Sequence, residues 1–290
     1  MRRSRRQKRG NMAQLLSAGF SRLFKNKLFW FGTAFLSGLF VYIVIRNHID
    51  MVRYPDVYFF TGSTFLFAPF QVIGIFISCF TGMFLGTEYK DGTMRNKLTV
   101  GRSRTEVYLS DLIVCFAASL FASITVVSVT YITSVALIGN PTLTAGQIME
   151  FSGVGVLMLA AFAGIFTLIS MLVPSKSAGS VVNILLFLAL MLAGFHVTSR
   201  LEEPAMTMPG YTITVGGELQ PLETVPNPLY LDGFLRKFYE FFRDLLPTSQ
   251  GTLLMNQHLE RPLVMALCSL GLTVCTTVSG IFHFRRKDLK

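Results

Sequence analysis

The sequence predicts an all-α polytopic membrane protein with six transmembrane helices and both termini on the cytoplasmic side. Of its 290 residues, 51% are hydrophobic and only 14% are charged, whereas about a quarter of the residues in a soluble domain carry a charge. The few charges are clustered, so long uncharged stretches lie between them. Around the spans we expect an N-terminal interfacial amphipathic helix and, between spans five and six, an extracellular helix pair with a small β-hairpin. Residues 1–290 are expected to form a single transmembrane domain.

Six apolar stretches are long enough to cross the hydrocarbon core, which takes about 20 residues as a helix. The second stretch is longer than one straight span needs and contains Pro69 and Gln71. A kink or a strong tilt is therefore expected there. The six predicted spans are residues 28–45, 57–85, 112–138, 151–173, 177–197 and 263–284.

The basic residues predict the orientation of these spans. The termini and connections on one side carry nineteen lysines and arginines, and those on the other side carry seven. Because basic residues collect on the cytoplasmic side of a membrane, both termini are predicted to be cytoplasmic. The net charge of +10 follows from the same rule. Nucleic acid is not an expected partner, since no basic stretch interleaves with exposed aromatic residues.

The chain shows no motif for catalysis, nucleotide binding or metal binding. It has no G-x-x-x-x-G-K-[ST] phosphate-binding loop, no serine-nucleophile elbow and no H-E-x-x-H sequence. Its four cysteines lie in apolar runs without C-x-x-C spacing, and its four histidines are far apart in sequence. We therefore expect no catalytic residue, no cofactor and no metal site in this chain.

The predicted spans contain no aspartate, glutamate, lysine or arginine. Ion-coupled carriers place ionisable groups at membrane depth, because the driving ion binds there. Their absence argues against an autonomous secondary transporter. The main strongly polar intramembrane side chains are Gln71, Asn183 and His196. These three are the candidates for a translocation path.

Residues 11–27 are predicted to form the interfacial helix. Leu15, Leu16 and Phe24 lie on its apolar face, while Arg22 and Lys25 are polar. Such a helix lies in the membrane interface with its basic side chains extended outward, and membrane lipid is then a partner. The alternative is a basic tail that runs directly into span one.

Residues 198–262 are predicted to form the extracellular module. Residues 211–222 alternate between apolar and polar side chains around Gly216 and Gly217, a pattern typical of a β-hairpin. Pro221 implies an edge strand.

An amphipathic helix is predicted at residues 227–246 of the same module, with Asn227 as its N-cap. Arg236, Glu240 and Arg243 exclude it as a span. Its wide apolar stripe is expected to pack against the spans at the outer leaflet. A second short helix is expected between the prolines at 247 and 262.

The connection at residues 86–106 reads as a short amphipathic helix followed by a turn at Gly101. Ser103 and Glu106 then form a capping box that leads into span three. The alternative is a solvated loop rich in positive charge. A connector needs only a few residues, however, and this one contains alternating charges and helix signals along its whole length.

This segment resembles the corresponding part of the membrane subunits of ABC-2 type exporters. Residues 88–113, EYKDGTMRNKLTVGRSRTEVYLSDLI, are similar to that family's pattern after span two: an acidic residue, Gly-Thr, a basic run, Gly-x-x-Arg and a Tyr-Leu entry to span three. Within the family, the chain looks most like permeases of Gram-positive bacteria that handle peptide antibiotics such as bacitracin and lantibiotics. It departs from the family at Asp111, where a lysine is common, and in its longer outer loop.

The resemblance implies a permease subunit of an ATP-driven exporter in the bacterial plasma membrane. Such a subunit would move a peptide, drug or lipid-like substrate outward, and antimicrobial peptide resistance would be one possible role. It would pair with a second permease, identical or not, and with two copies of a cytoplasmic ATPase that bind ATP and Mg²⁺. The alternative is a non-transporting membrane sensor or assembly scaffold, and a neighbouring reading frame that encodes an ATPase would discriminate between the two. The resemblance places the contacts with the ATPase in the interfacial helix and at Glu88, Lys90, Asp91, Gly92, Thr93, Arg95 and Lys97.

Overall fold

The computed structural model describes residues 2–139, 141–173, 175–208, 211–213, 219–221 and 223–287, with residues 2–11, 211–213 and 219–221 described by their backbone alone. The helices of this part of the chain are α1 (Arg2–Phe24), α2 (Lys27–Arg53), α3 (Pro69–Lys90), α4 (Thr93–Thr99), α5 (Arg104–Ile138), α6 (Ala145–Leu172), α7 (Lys176–Glu202), α8 (Gly233–Leu245), α9 (Pro247–Met255) and α10 (Pro262–Arg286). The strands are β1 (Met206–Thr207), β2 (Tyr211–Ile213), β3 (Leu219–Pro221) and β4 (Val225–Pro226).

Six helices, α2, α3, α5, α6, α7 and α10, are long and apolar enough to cross a membrane. The predicted all-α fold with six long apolar helices is therefore confirmed. Several of the helices extend beyond the predicted spans. The longest, α5, has 35 residues and takes in Asp111, which lies outside the predicted third span.

Capping side chains fix where several of these helices begin. Asn26 Oδ1 accepts hydrogen bonds from the backbone N–H groups of Leu28 and Phe29 at the start of α2. Ser103 and Glu106 form the predicted capping box at the start of α5. A cap of this kind contributes about 1 kcal/mol. Local sequence therefore sets these boundaries.

The prediction for the second span is wrong in its first part. Residues 57–68 lie before the helix, mostly in turns, and α3 begins only at Pro69. Proline suits the first helical position, because the N–H that it lacks would have no partner there in any case. Pro69 therefore starts a helix instead of kinking one, and Gln71 lies in the first turn of α3.

The N-terminal helix is confirmed against the alternative of a basic tail, but its bounds differ from 11–27. α1 begins at Arg2 and ends at Phe24, and Lys25 lies in the turn that follows. The reason for the early end is Asn26, whose side chain caps the next helix and whose own backbone is extended.

One face of α1 packs against α5. Leu15 is buried, Leu16 is partly buried, and both lie in the hydrophobic cluster at this end of the bundle. Phe24 is half exposed, but its ring meets the edge of Phe121 with the centroids 6.2 Å apart. α1 is thus joined to the spans through its apolar face.

Close helix packing accounts for the small residues late in α3. A Cβ atom added to Gly82 would lie 2.5 Å from Ser180 Cα, and one added to Gly86 would lie 2.5 Å from Lys176 Cα. Both neighbours belong to α7. The glycines therefore let α3 and α7 approach closely, as small residues do between membrane helices.

The predicted β-hairpin is present in its two strands. β2 and β3 pair antiparallel, with Thr212 opposite Gln220 and Ile213 opposite Leu219. The predicted turn residues Gly216 and Gly217 lie outside the described residues. β1 and β4 form a second antiparallel pair, which the sequence pattern does not predict.

The helix predicted at 227–246 starts five residues late, since its N-cap is Asp232 and not Asn227. α8 itself begins at Gly233. Asn227 Oδ1 instead accepts a hydrogen bond from Leu229 N at 2.9 Å, the geometry of an Asx turn. Pro247 does break the chain and starts α9.

The sequence predicts that the apolar face of α8 packs against the spans, but most of this face is exposed in the structure. Phe234 is 83% exposed and Phe241 is 54% exposed, while Arg243 and Asp244 are buried. Arg243 pairs with Asp244 and, at 2.9 Å, with Glu260. Arg243 and Asp244 therefore form ion pairs inside the protein, while the phenyl rings of Phe234 and Phe241 remain exposed.

Candidate functional site

The predicted segment 86–106 folds as the end of α3, a sharp turn, α4 and the cap of α5. We call this end of the bundle the Glu88 end. Gly92, in the turn, has φ +66°, and a Cβ atom built there would meet nothing within 4 Å. The left-handed conformation costs other residues about 1–2 kcal/mol. Glycine is therefore needed at position 92 for the bend of the chain, and not because another segment packs closely against it.

Glu88 is the centre of a buried ionic cluster at this end. Its side chain is 0% exposed and pairs with Arg22 of α1 and with Lys97 of α4. Lys97 Nζ lies 2.8 Å from Glu88 Oε1 and 2.7 Å from Oε2. One carboxylate thus holds a cation from each of two helices outside the six long spans.

Asp111 of α5 completes the cluster. Lys97 Nζ donates to Asp111 Oδ1 at 3.1 Å, and the Asp111 side chain is 3% exposed. We use the name ionic cluster for Arg22, Glu88, Lys97 and Asp111, which carry two positive and two negative charges. Removing one member of such a buried set leaves an uncompensated charge, at a cost of about 3–5 kcal/mol. The cluster therefore fixes α1 and α4 to α3 and α5.

Arg22 has further contacts that fix its position. Its Nη2 atom donates to the carbonyl oxygen of Phe84 at 3.2 Å, and its guanidinium group lies 4.5 Å from the centre of the Phe84 ring. Burial lowers the pKa of Arg22 from its ordinary value, although the nearby Asp111 opposes this. An arginine remains protonated even so. Arg22 is expected from the sequence to extend outward, and it points inward because Glu88 needs a partner.

The other charged residues of the segment face outward. Lys90, Asp91 and Arg95 are exposed and form no ion pair with any residue that the structure describes. Thr93 Oγ1 donates to the carbonyl oxygen of Glu88 at 3.2 Å and so closes the turn. The seven predicted contact residues therefore divide into an inner pair, Glu88 and Lys97, two turn residues and an outer face.

The C-terminal end of α10 is attached to the same end of the bundle. Arg104 donates to the carbonyl oxygens of Phe284, at 2.9 Å, and of Lys287. Lys287 Nζ donates to Met171 O at 2.6 Å and to Leu172 O at 3.0 Å. Burial lowers the pKa of Lys287 to about 8. A single lysine thus satisfies two carbonyl groups that have no partner within α6.

Of the four members of the ionic cluster, Asp111 is the one that the sequence does not predict as a site residue, since it stands out only as a departure from a family pattern. Arg22 is predicted as a polar side chain of the interfacial helix, but its pairing with Glu88 is not predicted. A signal for Asp111 does exist, because it falls on the same helical face as the buried Val107, Cys115 and Ala118. A charged carboxylate on such a face is costly unless it is paired, so it indicates a buried cation nearby. Which cation it pairs with depends on the fold.

The three candidate path residues lie in different surroundings. Asn183 is buried where α7 meets α3 and α6, and its Nδ2 atom donates to Ser170 Oγ at 2.9 Å. His196 lies beside α8, with Nε2 3.5 Å from Tyr239 Oη. Gln71 lines a cavity between α2 and α3. No hydrogen bond among the described residues joins the three to one another.

A family model described as ABC-2 family transporter protein matches residues 15–194. The matched range runs from α1 into α7 and includes all four residues of the ionic cluster. No curated protein matches the chain.

Proposed function

This chain belongs to the ABC-2 family of transporter proteins, and we propose that it is the permease subunit of an exporter driven by separate cytoplasmic ATPase subunits. The family model covers more than half of the chain, and permeases of this family work in general with an ATPase partner. The proposal adds the direction of transport, the site of contact with the ATPase and a second permease subunit. The observation that carries it is the ionic cluster with the exposed charges beside it.

A subunit that receives mechanical work needs a firm connection between its contact surface and its spans. α4 supplies such a connection, because Lys97 joins it to Glu88 in α3 and to Asp111 in α5. Met94 adds an apolar anchor, since it is 1% exposed and packs in the same hydrophobic cluster. A displacement of α4 would therefore be passed to two long helices.

The outer face of this segment has the charge pattern of a reversible contact. Lys90, Asp91 and Arg95 present both signs of charge to the solvent. Complementary charges at an interface set orientation and association rate more than they set affinity. This suits a contact that persists while the ATPase subunits open and close.

The excess of basic residues at the Glu88 end supports a cytoplasmic location for it. Nineteen lysines and arginines lie in the termini and connections on this side, against seven on the other. An ATPase in the cytoplasm would then meet α4 directly. The substrate class that the resemblance suggests, a peptide, drug or lipid-like molecule, is part of the proposal, as is the handling of peptide antibiotics.

The test is co-purification of an ATPase from a neighbouring reading frame with wild-type and variant permease. Reversing two exposed charges together, Asp91→Lys with Arg95→Glu, should leave membrane insertion intact. It should weaken ATPase binding or abolish the stimulation of hydrolysis by the permease. The control reverses an exposed charge in α8 at the other end, Lys237→Glu, which should behave as wild type.

Two outcomes would count against different parts of the proposal. If no neighbouring ATPase co-purifies with the wild type, the permease role fails and a sensor or scaffold becomes the better explanation. If the double variant binds the ATPase and supports hydrolysis as well as wild type, the contact lies elsewhere, and α1 is the next candidate.

A further inference from the structure

We propose that α8 lies in the surface of the lipid bilayer, at the end of the bundle opposite the ionic cluster, with its exposed phenyl rings among the acyl chains of that leaflet. These rings belong to Phe234, Phe238 and Phe241, and we call them the phenyl face. The three residues recur at intervals of four and three, so they share one side of the helix. The inference goes beyond the proposed function and does not depend on an ATPase.

The charged residues of α8 face the protein. Arg243 and Asp244 are buried, and Arg243 Nη2 lies 2.9 Å from Glu260 Oε2. Arg261 Nη2 lies 3.1 Å from Asp244 Oδ2 and 3.2 Å from Glu240 Oε2. A helix on the surface of a soluble protein has the opposite arrangement, with its apolar stripe toward the core and its charges outside. Since large apolar side chains are unfavourable in water, this orientation favours apolar surroundings outside α8.

Two neighbouring spans place α8 at the boundary of the hydrocarbon core. Tyr239 Oη lies 3.5 Å from Nε2 of His196, which is near the end of the predicted fifth span. The two residues that pair with α8 from outside it directly precede Pro262, where α10 begins. The other end of α10 is attached to the Glu88 end, because Arg104 donates to the carbonyl oxygen of Phe284. α8 is therefore level with the ends of two spans, on the side opposite the ionic cluster.

The chain goes deeper directly after α8. Thr248 Oγ1 of α9 donates to the carbonyl oxygen of Leu190 in α7 at 2.6 Å. Ser269 Oγ of α10 donates to Gln250 Oε1 at 2.8 Å. Ser269 lies about 10 Å along α10 from Pro262, at 1.5 Å per residue. The start of α9 is thus at membrane depth, and the C-terminal end of α8 leads into the leaflet.

A groove between α7 and α8 connects the phenyl face to the lipid-facing side of α7. Phe238 lines this groove together with His196 and Val197. Leu192 and Phe195 of α7 are exposed on a helix long and apolar enough to span the membrane, where exposed side chains contact acyl chains. The phenyl face therefore continues a surface that already faces lipid. This continuity favours lipid as its neighbour over a soluble protein partner.

Lys237 fits the same location. It is exposed beside the phenyl face and forms no ion pair with any residue that the structure describes. A lysine at the membrane surface lays its methylene chain along apolar groups and extends its ammonium group to the phosphates. Interfacial helices of this composition bury their apolar face about 5–10 Å into the boundary between headgroups and acyl chains. The partner of α8 is then phospholipid, with phosphate for Lys237 and acyl chains for the rings.

The experiment measures quenching of a single tryptophan in the purified full chain in lipid nanodiscs, without ATPase. Trp30 is the one tryptophan of the sequence, so Trp30→Phe gives a background to which Phe238→Trp or Phe241→Trp is added. One quencher is phospholipid brominated on its acyl chains, and the other is iodide in the water. We expect both tryptophans to lose most of their fluorescence in brominated lipid and to keep most of it in iodide.

Two control variants calibrate these signals. Thr224→Trp, at an exposed position before β4, should be quenched by iodide and not by brominated lipid. Val274→Trp is exposed about 18 Å along α10 from Pro262, and so lies near the middle of the membrane. Bromine near the chain end should quench it more than bromine near the headgroup. The α8 variants should show the reverse order, because their rings lie close to the surface.

A second measurement covers the case in which a tryptophan variant does not fold. Phe238→Cys and Thr224→Cys are made separately in a variant whose four native cysteines are replaced. A charged thiol reagent should react with the cysteine at 238 at least about tenfold more slowly than with the cysteine at 224, since a charged molecule is poorly soluble among acyl chains.

Two results would overturn the inference. Quenching of the α8 tryptophans by iodide as strong as that at position 224 would place the phenyl face in water. Protection from both quenchers would mean that protein covers it, and size-exclusion chromatography would then show whether a second copy of the chain does so. Neither result bears on the proposed function, because the assay contains no ATPase. Failure of an ATPase to co-purify would likewise leave the position of α8 unaffected.

Discussion

Lys97 of α4 donates hydrogen bonds to both carboxylate oxygens of Glu88 in α3, at 2.8 Å and 2.7 Å. Both residues lie within residues 86–106, which the sequence predicts, together with the N-terminal helix, as a contact for an ATPase. The structure directs them inward, however, so they connect the segment to the spans and do not form its surface. The surface belongs to their neighbours Lys90, Asp91 and Arg95. The exposed residues are thus available to contact a partner, and the buried pair beside them connects that surface to the spans.

The first prediction concerns the charge of Glu88. Glu88→Gln keeps the shape of the side chain but leaves Arg22 and Lys97 without their shared counter-charge. We expect the free energy of unfolding to fall by about 3–5 kcal/mol, measured by denaturant or thermal unfolding in detergent. Glu223→Gln, at an exposed position, is the control and should change stability by less than about 0.5 kcal/mol.

Exchanging the two charges tests whether the cluster acts as a set of four. In the double variant Glu88→Lys with Lys97→Glu, the new lysine faces Arg22 and the new glutamate faces Asp111. Each exchanged residue then lies beside a residue of the same charge. We therefore expect the double variant to be no more stable than Glu88→Gln. Recovery to the wild-type value would mean that Glu88 and Lys97 form an isolated pair.

The second prediction concerns the turn before α4. Gly92→Ala forces a side chain into the left-handed region at φ +66°, and should cost about 1–2 kcal/mol. Gly92→Asn should cost less, because asparagine tolerates this conformation better. Gly146→Ala in α6 is the matched control: it also meets open space but is helical, so it should be neutral or stabilising. Equal effects at both positions, in unfolding and in ATPase co-purification, would contradict this account of the turn.

The parts of the fold that depend on local sequence, the spans and the starts of the helices, could be predicted. A run of apolar residues specifies a span, and a cap such as Ser103 with Glu106 specifies where the helix starts. Pro69 shows how the same signal can be misread, because a proline marks a helix start as readily as a kink. The sequence before it is apolar enough to pass for part of a span.

The ionic cluster could not be predicted, because its members are far apart in sequence. Glu88 lies 66 residues from Arg22 and 23 from Asp111, and only the packing of α1 and α5 on α3 brings them together. The orientation of α8 could not be predicted either, but for a different reason. Amphipathicity shows that a helix has two faces, but it does not show which of them faces the protein, and the apolar face of α8 is turned outward. Phe234 and Arg243 follow that arrangement.

The third prediction concerns Lys287. Burial lowers its pKa to about 8, against about 10.4 for an ordinary lysine. At pH 8 about half of its amine is therefore unprotonated, compared with less than about 1% for an ordinary lysine. Competitive acylation followed by mass spectrometry should show Lys287 reacting half-maximally near pH 8. A midpoint near pH 10 would contradict the burial seen here.

The same shift gives the sign of a pH effect on stability. Between about pH 8 and about pH 10.4 the unfolded chain holds a proton that folded Lys287 has lost, so stability should rise with pH across this interval. Lys287→Met should remove this rise. It should also remove the two hydrogen bonds to Met171 O and Leu172 O and so loosen the end of α6, which hydrogen exchange would detect.

The last prediction concerns orientation, on which the export proposal depends. If the Glu88 end is cytoplasmic, the start of α7 lies inside the cell and the strands before α8 lie outside. Single cysteines at two exposed positions, Ser177→Cys and Thr224→Cys, test this in a variant whose four native cysteines are replaced. An impermeant thiol reagent should label only the cysteine at 224 in intact cells, and both after the membrane is opened. Labelling of the cysteine at 177 in intact cells would place the ionic cluster outside, where no ATP is available. The contact between α4 and an ATPase would then be impossible, whatever the stability measurements show.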